Sequence, residues 1–189
     1  MSTHVSPSPA RTGVWAGIGA ITMSFAAYTS ALLVRAGDSP DWTHVHLPWL
    51  VYANTVTLIA SSITLEIGRR RVSGPYESRT RGVAFLHLTL ALGLVFLFGQ
   101  VLAWRLMAEQ GLFLSTNPNS SFFYVLTAVH ALHLIGGLLG LAYVVRRARL
   151  AAFPSPGPVA TSTLGAVALY WHFMDALWVY LLVVLTLWL

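Results

Sequence analysis

Leu169 to Trp178 reads LYWHFMDALW, inside the apolar run Thr161–Trp188. A helix needs about 20 apolar residues to cross the hydrocarbon core of a bilayer, and this run is long enough. Counted at 1.5 Å per residue, His172 and Asp175 fall at mid-depth. Ionisable side chains at that depth are expensive and persist where they have a partner or a task. Three residues apart on a helix, the two share one face. That face must meet protein, a lipid headgroup or water rather than acyl chains.

Working outward, four more runs are long enough to span: Gly13–Val34, Leu47–Gly68, Gly82–Arg105 and Ser121–Val145. Their connections, such as AGDSPDWTH and RRRVSGPYESRTR, are polar or carry Pro and Gly, and none has room for a soluble domain. Only 9% of the 189 residues are charged and 56% are hydrophobic. A soluble domain carries about 25% charge. The reading is an all-α integral membrane protein. It has a polar tail, 1–12, and a single five-helix transmembrane domain, 13–189. Met1–Thr12 is polar and Pro-bearing, and the first apolar run is long enough to span rather than be cleaved, so no signal peptide is read.

The chain has no cysteine, which excludes disulfides, thiolate metal ligation and c-type haem attachment. All its basic residues are Arg, in loops or at span ends, so the net charge of +5 reports membrane orientation rather than nucleic-acid binding. Arg11, Arg69, Arg70, Arg71, Arg79, Arg81, Arg146, Arg147 and Arg149 fall on one side of a five-span arrangement, and Arg35 and Arg105 on the other. The positive-inside rule then places the N-terminus in the cytoplasm and the C-terminus outside, on the periplasmic face. Trp42, Trp49, Trp104 and Trp188 stand near outer span ends, as an aromatic belt would.

Within the spans, Asn54, Thr57, Ser61, Thr64 and Gly68 recur at three- and four-residue spacing. A small polar stripe of this kind lets helices approach and hydrogen-bond. The pairs Gly13–Gly17 and Gly136–Gly140 have GxxxG spacing, a weak packing signal alone. Glu66 precedes Arg69 and Arg70 by three and four residues, which fits a local ion pair or a carboxylate lining a cleft. His130 and His133, with His172 and Asp175, would supply three imidazoles and a carboxylate at similar depth. An HxxH without a companion Glu favours a hydrogen-bonded network over a metal, and a b-type haem needs axial His pairs. His87 reads as a hydrogen-bonding side chain, and His4, His44 and His46 fall in the tail or a loop. No phosphate loop, nucleophile elbow or repeat of broken helices is present.

Four segments together resemble subunit III of haem-copper oxidases, in its short five-helix bacterial form. ALYWHFMDALWVYLLVVLTL (Ala168–Leu187) is similar to the family's YWHFVDxxW terminal helix, and SSFFYVLTAVHALHLIGGL (Ser120–Leu138) to its FYxxTGFHGLHVxxGL helix. NTVTLIASSITLE (Asn54–Glu66) is similar to NTxxLLxSSxTxE, and GLVFLFGQVLAW (Gly93–Trp104) to GxxFxxxQxxEW. The resemblance implies a subunit of the bacterial inner membrane that binds no redox centre. It implies packing beside the catalytic subunit I and subunit II of a proton-pumping cytochrome c oxidase, whose partners hold the haems and copper. It also implies bound phospholipid in a cleft. By match, Glu66, His130, His133, His172 and Asp175, with Trp171 and Trp178, form the cleft and its polar network, and no metal site. The sequence departs from the family at Ile21 and Ala103, where carboxylates are usual, and at Ala128 and Ala131, where glycines are. The same scaffold could serve a nitric oxide reductase, and a quinol-oxidising complex is a further candidate partner in a supercomplex. An independent intramembrane metal or proton-transport protein is the alternative from another class.

Overall fold

A computed structural model describes residues 9–38, 46–150 and 158–189. It contains α1 (Pro9–Asp38), α2 (Trp49–Val72), α3 (Tyr76–Glu109), α4 (Pro118–Leu150) and α5 (Pro158–Trp188). Each is long and apolar enough to cross a membrane. Four of them begin a turn or so before the apolar run, at Pro9, Tyr76, Pro118 and Pro158. Backbone hydrogen bonding does not stop where hydrophobicity does, and proline suits a helix's first position because its missing N–H would be unpaired there anyway. Residues 9–12, read as tail, are therefore helical. α2 instead starts late, after Pro48, whose ψ of 139° is extended. Trp42, His4 and His44 lie outside the described residues.

Local chemistry sets the turns. Asn117 caps α4, its side-chain oxygen accepting from the Ser120 amide at 2.9 Å. α3 ends at Gly111, whose φ of 77° is left-handed. The Leu112 amide reaches back to the Met107 carbonyl and the Gly111 amide to that of Ala108, a Schellman closure that glycine permits. Ser73, Gly74 and Pro75 turn α2 into α3, and the Ser78 hydroxyl donates to the Arg71 and Pro75 carbonyls.

α2 and α3 pack along their length, and three glycines bring them close. A Cβ at Gly68 would stand 2.9 Å from Leu86, one at Gly82 2.7 Å from the Val72 amide nitrogen, and one at Gly99 would run into the Asn54 side chain. Asn54, Ser61 and Gly68 of the polar stripe are buried. Thr64 meets Thr89 of α3 at 2.9 Å, while Thr57 bonds back to its own helix at Ala53. The GxxxG spacings do not act this way: Gly13, Gly17 and Gly136 have open space where a Cβ would be, and Gly140 makes only an ordinary contact with Val167.

α5 is the hub. It packs against α1, α2 and α4, while among the described residues α1 and α2 do not touch each other. Tyr180 donates to Thr29 of α1 at 3.0 Å, and Tyr170 to the His133 carbonyl of α4 at 3.0 Å. Trp171 and Trp178 donate to Ser61 and Thr55 of α2 at 3.0 and 2.9 Å. Every such bond satisfies a polar atom that lipid could not.

Candidate functional site

A groove of about 570 Å³ runs along the seam between α2 and α5. Its walls are apolar at Ile59, Ile63, Ile67 and Val179, and polar at Ser62, Glu66, Arg70, His172 and Asp175. Spacing explains the set. Ile59, Ser62, Ile63, Glu66, Ile67 and Arg70 recur every three or four residues on α2, and His172, Asp175, Ala176 and Val179 do so on α5.

Glu66 organises the Arg-rich end. Arg69 donates to it through Nε at 2.8 Å and Nη2 at 2.7 Å, and Arg70 through Nε at 2.6 Å. Glu66 thus pairs with Arg69 and Arg70 and also lines the groove. His172 comes next: its Nε2 lies 4.0 Å from a Glu66 oxygen, and its Nδ1 shares a 2.5 Å hydrogen bond with the Ser62 hydroxyl. Ser62 was not singled out in the sequence, although its place four residues before Glu66 puts it on the same face.

Asp175 is deepest. It stands thirteen residues from each end of the span Ser162–Trp188, about 20 Å from either by helical rise. It is 8% exposed; the Ser62 hydroxyl, shared with His172, faces it, but among the described residues neither carboxylate oxygen makes a hydrogen bond of good geometry. His172, on the same face of α5, turns instead to Ser62 and Glu66.

The network expected from the sequence is split between the groove and the core. Glu66, His172 and Asp175 share the groove. Trp171 and Trp178 point away from it into the core, where both are buried. Trp171 fills a notch formed by Gly93 and Gly137, where Cβ atoms would stand 2.8 and 3.4 Å from the indole. His130 is fully buried between Phe96 and Trp178, with ring centroids at 6.0 and 5.0 Å. His133 donates from Nδ1 to the Val129 carbonyl and meets Phe25 of α1 edge-on. Among the described residues no three His, Asp or Glu side chains converge as a metal-ligand set. Of the Trp residues expected at outer span ends, Trp49 and Trp188 are exposed, but Trp104 turns inward and donates to Thr127.

The chain matches the family model of cytochrome c oxidase subunit III over residues 20–189. It belongs to that family. It is 31% identical over 166 residues to a probable cytochrome c oxidase subunit 3 of Mycobacterium leprae, covering 85% of this chain and 77% of that one. It is 32% identical over 187 residues to cytochrome c oxidase subunit 3 of Synechocystis, covering 95% and 76%. The subunit of the same name in Thermostichus vulcanus is 33% identical over 165 residues. The chain is accordingly a multi-pass bacterial membrane protein and an accessory component of an oxidase complex. Ile21 and Ala103, the two positions at which the resemblance implies carboxylates, are both buried in the apolar core.

Proposed function

We propose that the chain carries no redox centre and acts by packing beside the catalytic subunit, using the α2–α5 groove as its contact with partner subunit and lipid. The carrying observation is the graded polarity of that groove. At its Arg-rich end the Glu66–Arg69–Arg70 cluster leaves Arg70 largely exposed, at a level where a phospholipid phosphate can meet it. Ile63 and Ile67 suit an acyl chain. Asp175, at mid-span, does not: an acyl chain would leave its carboxyl without a hydrogen bond. The deep end of the groove therefore suits a donor side chain from subunit I or subunit II. The Arg distribution supports a cytoplasmic N-terminus and Arg-rich end.

The test is a mild-detergent pull-down of the tagged chain from its native membrane. Mass spectrometry of proteins and lipids and a reduced-minus-oxidised spectrum would be read on the same sample. The reading expects haem bands from partner subunits, and phospholipid that falls when Arg70→Ala is introduced. Recovery of the chain without haem-bearing partners, from an extract in which the oxidase remains assembled, would overturn it.

A further inference from the structure

A second polar layer lies inside the bundle, away from the groove. Asn54 of α2, Gln100 of α3 and His130 of α4 are all buried. Among the described residues, five of their atoms have no hydrogen-bond partner: Asn54 Nδ2, Gln100 Nε2 and Oε1, and His130 Nδ1 and Nε2. The surrounding contacts put the three at one level. Trp104 and Phe96 of α3 meet Thr127 and His130 of α4, and Gln100 stands midway between Trp104 and Phe96 on the same helix. Asn54 packs on Gly99, the residue before Gln100. Thr55, the residue after Asn54, holds the indole of Trp178, which lies over His130.

We infer that this layer is a binding site for ordered water, which bridges α2, α3 and α4 through Asn54, Gln100 and His130. Donors and acceptors match that occupant. The two amide nitrogens and one imidazole nitrogen donate, while the Gln100 oxygen and the other imidazole nitrogen accept. Water does both, and a buried water makes about three hydrogen bonds to groups that would otherwise be unpaired. Lipid can serve none of these atoms. The site is distinct from the groove and needs no partner subunit.

The test is an electron cryo-microscopy map of the chain in its native complex, at a resolution that shows ordered water. Density within hydrogen-bonding distance of at least two of the five atoms is expected. Direct side-chain hydrogen bonds that consume all five, with no density between them, would overturn the inference. Radiolytic hydroxyl labelling gives an independent readout, because bound water oxidises the rings next to it. Phe96 should be oxidised severalfold more than Phe25, an equally buried phenylalanine outside the layer. Equal labelling would count against bound water. Because the layer is internal to the bundle, both readouts apply whichever complex the chain joins.

Discussion

Replacing Gly82 with Ala should destabilise the bundle through a clash with the end of α2. The added Cβ would stand 2.7 Å from the Val72 amide nitrogen, 2.8 Å from Val72 Cγ2 and 3.0 Å from Arg71 Cβ. An ordinary contact begins near 3.4 Å, so α2 and α3 must separate by roughly 0.7 Å where they cross. Backbone cannot rotate away as a side-chain tip can. Overpacking of this kind costs about 1–3 kcal/mol, while alanine in place of helical glycine returns up to about 1 kcal/mol. Gly136→Ala is the matched control: it has the same propensity gain and nothing within 4 Å of the new methyl. The difference between the two variants isolates the clash, at about 1–3 kcal/mol. A chain of this length shifts its melting temperature by about 2–4 °C per kcal/mol. Thermal denaturation of both variants in lipid nanodiscs, followed by tryptophan emission, should show Gly82→Ala several degrees below Gly136→Ala. Equal melting temperatures would refute the idea that glycine sets the α2–α3 approach.

Asp175→Leu should leave the isolated chain about as stable as the parent, because among the described residues the carboxylate faces only the Ser62 hydroxyl, which His172 already engages, and makes no hydrogen bond of good geometry. It should lower retention in the purified complex, and full retention would show that nothing docks there. Glu66→Gln disrupts an ion pair whose Arg69 and Arg70 side chains are 41% and 76% exposed, so a loss of about 0.5 kcal/mol or less is expected, smaller still at high salt; a salt-independent loss of several kcal/mol would place Glu66 in the interior. Trp178→Phe removes the bond to Thr55 but keeps the ring, and hydrogen bonds between membrane helices average about 0.6 kcal/mol. Trp178→Ala also removes the packing on Phe96 and His130 and should cost about 3–5 kcal/mol in the same melting assay. If the two Trp178 variants melted together, the ring's packing would not be what holds α5.

The sequence by itself determined the number and character of the helices, because about 20 apolar residues bounded by Arg, Pro and Gly admit few other structures in a bilayer. It also determined which residues share a face, since 3.6 residues per turn carries that information along one helix. His172 with Asp175, and Asn54 with Ser61, were legible for that reason. The tertiary structure alone decided which helix each face meets. It sent His130 to Phe96 and Trp178, His133 toward α1, and His172 to Ser62, so three imidazoles of similar depth do not converge. It also chose Gly68, Gly82, Gly93 and Gly99 as close approaches and left Gly13, Gly17 and Gly136 open. Lipid tails are as apolar as a buried leucine, so hydrophobicity does not mark which face of a membrane helix is inside. That choice rests on how small residues, indoles and hydroxyls fit between helices distant in the chain.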